Sequence, residues 1–320
     1  MKLQPMVLVC GAGGFIGNHL VTSLKSHGFY VIGADLKYPE FSESDADEFY
    51  ICDLSDWNQV DKVVTENIQT IYQLAADMGG AGYVFTGDND ADILTNSLAI
   101  NINICKAMLK NNIKNVFFTS SACVYPEELQ TNVDYPVLVE EKAYPANPDS
   151  EYGWEKLTSE RLYLSYARNY NLRVRIARLH NVFGSLTSYN NGKEKAPAAL
   201  CRKIIENSNA IQIWGDGQQQ RSFLYIDECI KGIHKIQNSN YNRPLNLGAE
   251  RIISINRLVK IICDIAGKQI KIEHIPGPLG VQTRTSDNKK IREILNWAPA
   301  ENLEYGLTQT YNWIKNEINR

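Results

Sequence analysis

The chain lacks the features of several protein classes. No hydrophobic run approaches the roughly 18 residues that a membrane-spanning helix needs. Its 33 Lys and Arg are outnumbered by 36 Asp and Glu, with no basic cluster, so no nucleic-acid-binding surface is predicted. The seven cysteines are scattered, show no Cys-x2-Cys spacing, and suit neither a zinc site nor a disulfide framework. These absences favour a cytoplasmic protein with free thiols, no metal, and no membrane or nucleic-acid partner.

What is present is an alternation of short apolar strands and helices. Strands are predicted at residues 6–10, 29–34, 49–51, 70–75, 115–119 and 173–179. Helices are predicted after residue 14 and near residues 94–110, 152–170, 196–207, 226–237, 254–266 and 303–318. Strands joined by such helices imply right-handed crossovers and a parallel sheet. We therefore predict an α/β fold. A Rossmann-type doubly wound parallel sheet (residues 1–180) is followed by a smaller, interleaved C-terminal α/β lobe (residues 181–320), with a cleft between them.

A glycine-rich turn follows the first predicted strand and opens the first helix. Gly11, Gly14 and Gly17 fit the pattern Gly-x-x-Gly-x-x-Gly, and Phe15 and Ile16 begin the helix between the last two. Glycine allows a sharp turn, close approach of a pyrophosphate to backbone N–H groups, and tight packing of helix on strand. The helix N-terminus also favours negative charge. We interpret the turn as a dinucleotide cradle rather than a plain glycine-rich turn.

Acidic residues end the next two strands. Asp35 ends the second strand, where a carboxylate accepts from the adenosine ribose hydroxyls and repels a 2′-phosphate, which favours NAD over NADP. Lys37 lies close enough to weaken that choice. Asp53 follows the third strand and either reaches the adenine or simply caps the strand end; the sequence leaves both interpretations open.

A tyrosine and a lysine lie on the helix predicted near residues 152–170. Tyr152 and Lys156 are four residues apart and hence on one helical face, and Ser121 follows the fifth strand at the sheet edge where ligands bind. Removing a proton from a carbinol needs a base, and an ammonium lowers the pKa of a nearby tyrosine toward the working range. Together these residues predict hydride transfer to NAD.

These segments resemble the extended short-chain dehydrogenases/reductases that act on nucleotide sugars, from residue 6 to about residue 318. Ala75-Ala76 and the passage from Arg221 to Asp227 are similar to the family's cofactor and sugar-nucleotide segments. The resemblance implies that Leu74, Ala75 and Ala76 lie beside the cofactor.

The residue at position 123 indicates which reactions of this family are expected. Sugar 4,6-dehydratases of this family carry Asp-Glu where Ala122-Cys123 stands here, so water elimination is disfavoured. Simple 4-epimerases usually carry Thr where Cys123 stands and need no further acid or base. A thiol is able to move a proton at a carbon next to a carbonyl. Taken alone, Cys123 is better interpreted as a small buried hydrophobic residue, and the segments that follow are what favour the acid/base interpretation.

Further segments resemble the GDP-mannose 3,5-epimerases in order along the chain. They are residues 75–80, 120–126, 193–199, 201–203, 214–217, 275–278 and 286–288. The resemblance implies NAD as cofactor, a GDP-sugar as substrate, and a homodimer. It implies that Cys123 and Lys195 are the acid/base pair, and that Arg284 and Lys203 contact the diphosphate. The other substrate contacts it implies are Met78, Gly79, Gly80, Asn181, Trp214 and Arg221.

Two segments, residues 88–94 and 185–191, depart from that family's pattern and leave another GDP-hexose or a GDP-heptose open as substrate. A GDP-4-keto-6-deoxy-sugar 3,5-epimerase/4-reductase is the enzymatic alternative. It pairs its cysteine with a histidine, for which His180 is available, and uses NADPH, which Asp35 disfavours. A non-catalytic NAD-sensing protein on the same fold typically loses Tyr or Lys from the pair, and both are kept here.

Overall fold

The computed structural model describes residues 4–131, 138–277 and 280–320; Pro278, which ends the segment 275–278, lies outside them. The strands are β1 (Met6–Cys10), β2 (Tyr30–Asp35), β3 (Glu48–Ile51), β4 (Thr70–Gln73), β5 (Asn115–Ser121), β6 (Arg173–Leu179), β7 (Val182–Phe183), β8 (Ala210–Trp214), β9 (Gln220–Ser222), β10 (Leu224–Tyr225), β11 (Pro244–Leu247), β12 (Ile252–Ser254), β13 (Lys271–Ile275) and β14 (Thr283–Arg284). The helices are α1 (Phe15–Ser26), α2 (Trp57–Val63), α3 (Ala81–Val84), α4 (Asp90–Lys110), α5 (Glu151–Tyr170), α6 (Ala196–Glu206), α7 (Ile226–Gln237), α8 (Ile255–Ala266), α9 (Lys289–Leu295) and α10 (Leu303–Ile318).

A parallel seven-stranded sheet forms the centre of the fold. Its strand order is β11-β6-β5-β4-β1-β2-β3. The chain winds outward from β1 through β2 to β3, then returns to β4 and continues the other way. The carboxyl ends of β1 and β4 therefore meet at a topological switch point, where ligands bind in open α/β sheets. The predicted doubly wound fold is confirmed.

Helices cover both faces of this sheet, and the alternation of side chains along β1 shows how. Leu8 belongs to the hydrophobic cluster on one side of the sheet, together with Ile104 and Met108 of α4. Val9 belongs to the cluster on the other side, together with Leu20 of α1. Because both faces of the strand are covered, its sequence is a continuous apolar run rather than an alternating one.

The second half of the chain forms smaller sheets and also contributes to the large one. β9 lies between β12 and β14, β8 pairs with β13, and β7 pairs with β10. β11 pairs in parallel with β6 at the outer position of the large sheet. The division at residue 180 stays a prediction. Within the described ranges, no helix has the length and apolarity that crossing a membrane requires.

Several predicted element bounds need correction. The fourth strand ends at Gln73, not at residue 75, because the Gln73 side chain donates to the carbonyl oxygen of Ala75 and accepts from its N–H group. This turn ends the strand pairing, although the Leu74 N–H group still donates to the carbonyl oxygen of Cys10 at the end of β1. The helix predicted from residue 94 begins at Asp90. The short helices α2, α3 and α9 were not predicted, because four to seven residues show too little periodicity.

Candidate active site

A cavity of about 1280 Å³ lies at the carboxyl edge of the large sheet and is closed on the other side by the second half of the chain. It brings together every residue that the sequence analysis selected for a site. These are Gly11, Gly14, Phe15, Ile16, Gly17, Asp35, Asp53, Leu74, Ala75, Ala76, Met78, Gly79, Gly80, Ser121, Cys123, Tyr152, Lys156, Asn181, Lys195, Lys203, Trp214, Arg221 and Arg284. The individual roles assigned to them stay predictions.

One end of the cavity is formed by the glycine turn and the start of α1. Gly14 precedes α1 and provides no side-chain cap, so the N–H groups of the first helical turn are available to a ligand. At Gly17 a Cβ atom would lie 1.9 Å from the carbonyl oxygen of Gly11. Only glycine therefore lets the helix approach the turn this closely. The result is an anion cradle suited to a pyrophosphate.

Two carboxylates line the same end. Asp35 Oδ2 accepts from the Gly13 N–H group at 2.9 Å, which ties the end of β2 to the glycine turn. Burial raises the pKa of Asp35, and the hydrogen bonds from Gly13 and Lys37 oppose that shift. Asp53 Oδ1 accepts from both the N–H group and the hydroxyl of Ser55, so Asp53 caps its turn while lining the cavity. The cradle and Asp35 fit the dinucleotide NAD.

The helix α5 carries the tyrosine and lysine into the middle of the cavity. Ser150 caps α5 by accepting from the Gly153 N–H group at 3.3 Å. A Cβ atom at Gly153 would lie 2.2 Å from the carbonyl oxygen of Cys123, so this glycine lets α5 lie against the segment that carries the thiol. Lys156 Nζ is 5.6 Å from the centre of the Tyr152 ring and 3.6 Å from a Glu155 carboxylate oxygen.

The sequence predicts that the Lys156 ammonium lowers the pKa of Tyr152. For the protein without a bound ligand, this prediction is wrong. Burial raises this pKa strongly, and the charges of Cys123 and Glu155 add to the shift. The hydrogen bond with Ser121 and the Arg284 cation act in the other direction without overcoming it. Part of the positive charge of Lys156 is offset by Glu155 at 3.6 Å. A phenolate at this position therefore needs a further positive charge in the cavity.

The thiol of Cys123 lies in a short 3-10 turn, Ala122–Val124, directly after β5. Ser121 accepts from the Cys123 N–H group at 3.1 Å and so fixes the turn. Arg284 Nη1 lies 3.0 Å from Cys123 Sγ. Burial raises the pKa of the thiol, and the Arg284 cation is the main opposing influence.

Lys195 immediately precedes α6 and lines the cavity with Cys123. Burial lowers the pKa of its amine, while the charge of Cys123 raises it. Burial therefore moves the pKa of the amine toward neutral pH and the pKa of the thiol away from it, and the Arg284 cation is the main influence that favours ionisation of the thiol.

Cationic side chains surround the remainder of the cavity. The Arg221 guanidinium donates to the carbonyl oxygens of Gln220, Val281 and Gln282. Burial and the neighbouring Arg284 lower the pKa of Arg221 to about 9. This accumulation of positive charge fits an anionic ligand.

Lys203 and Asn181, two further predicted substrate contacts, donate hydrogen bonds to main-chain oxygens. Lys203 Nζ donates to the carbonyl oxygen of Gln212 at 2.7 Å, and Asn181 Nδ2 donates to that of Ser222 at 2.9 Å. The Trp214 ring is 41% exposed.

Two residues that contact Arg284 were not predicted from the sequence. Gln130 and Asp149 both accept hydrogen bonds from Arg284. In the sequence, Asp149-Ser150 before a predicted helix indicates only a helix cap. The contact between Asp149 and Arg284 therefore could not be predicted. For Gln130 the sequence carries no signal.

His180 lies outside the cavity lining. It is fully buried, and its Nε2 is 3.0 Å from Asn246 Oδ1. That oxygen also accepts from the Tyr125 hydroxyl, so Nε2 carries the histidine proton. Among the described residues, Nδ1 has no hydrogen-bond partner. His180 is therefore buried neutral and does not pair with Cys123.

This burial predicts an acid-sensitive contribution to stability. The surroundings lower the pKa of His180 to about 3 from an ordinary 6.5. Below pH 6.5, His180 binds a proton in the unfolded chain, whereas the buried His180 of the folded chain stays neutral. The free energy of unfolding therefore falls as the pH falls. Between pH 7 and pH 5 we expect the free energy of unfolding to fall by about 2 kcal/mol more in the natural protein than in His180→Gln. Urea unfolding at both pH values measures it; equal falls would contradict the assignment.

Comparison with known proteins gives the class. Residues 7–248 match the NAD dependent epimerase/dehydratase family, and the chain belongs to this family. It is 41% identical over 318 residues to GDP-mannose 3,5-epimerase 1 of Oryza sativa subsp. indica, covering 98% of this chain and 82% of the relative. It is also 41% identical over 316 residues to GDP-mannose 3,5-epimerase of Arabidopsis thaliana, covering 98% and 83%.

Among solved structures, the chain is similar to UDP-glucuronic acid 4-epimerase from Bacillus cereus in complex with UDP-glucuronic acid and NAD. The TM-score is 0.83 at 25% identity, covering 98% of this chain and 99% of the other. The protein is thus an NAD-dependent nucleotide-sugar epimerase, and the predictions of the fold, the family and NAD are confirmed. Over the ranges that the structure describes, no group of three or more His, Cys, Asp or Glu side chains is arranged to hold a metal ion.

Proposed function

We propose that the protein inverts C3, C5 or both in a GDP-sugar, with GDP-mannose to GDP-L-galactose or GDP-L-gulose as the favoured conversion. One observation carries the proposal: the Cys123 thiol and the Lys195 amine line the same cavity as Tyr152. A simple 4-epimerase needs only the tyrosine. A second acid/base pair is needed when protons on neighbouring carbons are exchanged as well.

In the first step, Tyr152 removes the proton of the C4 hydroxyl. Bound NAD supplies the hydride acceptor for C4 and later the donor that restores it. Lys156 and Ser121 hold the tyrosine oxygen in place, and Asp35 with the glycine cradle holds the cofactor. The positive charge that Tyr152 requires is consistent with an oxidised nicotinamide binding beside it.

In the second step, the ketone at C4 makes the hydrogens on C3 and C5 acidic. Cys123 and Lys195 act on opposite faces of the sugar ring, so a proton removed from one face is replaced from the other and the centre inverts. Each positioned acid or base contributes about 10²–10⁴-fold to the rate. Arg221, Arg284 and Lys203 provide the positive charge for the diphosphate.

The alternatives are less well supported by the cavity. A 3,5-epimerase/4-reductase would need His180 beside Cys123, and His180 is buried behind the cavity against Asn246. A non-catalytic NAD-binding protein has no use for a thiol, an amine and a tyrosine in one cavity. Of the two divergent segments, residues 185–191 contribute Leu186, Thr187, Ser188 and Asn191 to the cavity lining, whereas residues 88–94, which the structure also describes, contribute none. Another GDP-hexose or a GDP-heptose is therefore the nearest variant of the proposal. We further infer a homodimer in the cytoplasm.

The test is incubation with GDP-mannose in deuterated water, followed by mass spectrometry and proton NMR of the sugar. We expect deuterium at C3, C5 or both, with GDP-L-galactose or GDP-L-gulose appearing. UDP-glucose serves as the matched control and should remain unlabelled. If GDP-mannose takes up no deuterium while NAD stays bound, the proposed substrate is wrong, and other GDP-hexoses and GDP-heptoses are tried in the same assay.

A further inference from the structure

The Arg284 guanidinium is held from three directions inside the protein. Its Nε donates to Oε1 of Gln130 at 2.6 Å, its Nη1 lies 3.0 Å from Sγ of Cys123, and its Nη2 donates to Oδ2 of Asp149. Gln130, Cys123 and Arg284 are all less than a tenth exposed, and the Asp149 side chain is 2% exposed. The orientation of this cation relative to the thiol is therefore set by two side chains that have no other assigned function.

Both of these side chains are themselves anchored. Gln130 Nε2 donates to the carbonyl oxygens of Tyr125 and Pro126, in the segment that follows the thiol. Asp149 directly precedes Ser150, the cap of α5. A displacement of Arg284 would therefore have to break contacts with the thiol segment and with the start of the tyrosine helix together.

The charges around the thiol make the position of Arg284 important. The ionisable groups that face Cys123 are Arg284, Arg221, Lys195, Asp149 and Tyr152. Among the influences on the pKa of the thiol, the Arg284 cation is the largest that favours the thiolate, and burial and Asp149 act against it. The energy of a charge pair falls with distance, and a buried thiolate without a hydrogen-bond donor is costly. Arg284 therefore stabilises the thiolate of Cys123 only while its guanidinium is held next to Sγ.

We propose that Asp149 and Gln130 are positioning residues that hold Arg284 against Cys123 Sγ, so that this thiol is able to ionise and carry a proton to or from the sugar. The inference rests on the proposed function, since it assigns Cys123 a proton-transferring role. It is compatible with a contact between Arg284 and the diphosphate, because Nη1 and Nη2 each carry a second N–H group.

The test is the pH dependence of Cys123 alkylation by iodoacetamide in the NAD-saturated protein, followed by peptide mass spectrometry, which separates this cysteine from the other six. Asp149→Leu removes both the charge and the acceptor oxygen, which releases Arg284. We expect alkylation at about pH 8 to slow roughly tenfold, as for a thiol pKa raised by about one unit.

A second substitution separates position from charge. Asp149→Asn keeps an acceptor oxygen for Arg284 and removes only the negative charge. Its alkylation profile should therefore stay in place or move to lower pH, opposite to that of Asp149→Leu. Glu151→Leu removes a carboxylate two residues away and is the matched control, with no change expected.

If Asp149→Leu does not fold, Gln130→Met decides the question, because it removes an acceptor for Arg284 without changing any charge. A profile that moves to higher pH supports the proposal. The proposal is overturned if both Asp149 variants move to lower pH, if neither Asp149→Leu nor Gln130→Met moves the profile, or if Glu151→Leu moves it as much. Alkylation is read without a sugar, so a failed GDP-mannose assay leaves this result interpretable.

Discussion

Replacing Cys123 with alanine is expected to reduce epimerisation at C3 and C5 by at least about 10²-fold, because the sugar loses one of its two proton-transferring groups. Oxidation at C4 should continue, since it depends on Tyr152. The measurement combines deuterium uptake at C3 and C5 with the absorbance of the reduced nicotinamide after addition of GDP-mannose. Loss of the first signal with retention of the second is the expected result.

Cys52→Ala is the matched control for this prediction. Cys52 also lines the cavity, near Asp35 and Asp53 at its cofactor end. The same side-chain truncation there should leave deuterium uptake unchanged. If Cys123→Ala still inverts the sugar at the natural rate, the thiol is only a buried packing residue.

Replacing Tyr152 with phenylalanine is expected to remove both signals, each by about 10²–10⁴-fold. Without the phenol oxygen no group takes the C4 hydroxyl proton, so no ketone forms and the C3 and C5 hydrogens are not acidified. NAD binding should persist, because the glycine cradle and Asp35 are untouched. Uptake of deuterium at C3 or C5 in Tyr152→Phe would rule out the 4-keto route.

Tyr166→Phe makes the same change on the same helix outside the cavity and should have no effect on either signal. The natural protein provides a second check. Because burial raises the pKa of Tyr152, the phenolate is the minor form at neutral pH. The rate of C4 oxidation should therefore rise with pH through the neutral range, by up to about tenfold per unit. A flat profile would mean that another group or another step limits the reaction.

Much of this architecture is readable in the sequence because the signals are local. β1 and β6 are bounded as predicted, and α7 and α10 match residue for residue. Each is a periodic segment long enough to show its pattern. The four-residue spacing of Tyr152 and Lys156 places both on one helical face whatever surrounds them. Strand ends next to Gly11 and Asp35 were likewise readable, because glycine and acidic residues there have few other structural uses.

The order of residues by itself establishes a doubly wound α/β chain with a dinucleotide cradle, and it predicts that a tyrosine, a lysine and a thiol are the reactive groups. Tertiary structure alone decides what those groups experience. Burial reverses the expected direction for the pKa of Tyr152, closes His180 away from the thiol, and turns Arg284 toward Cys123 by contacts 154 and 135 residues apart in the chain. Desolvation and charge depend on distances between segments remote in sequence, and no local pattern encodes them.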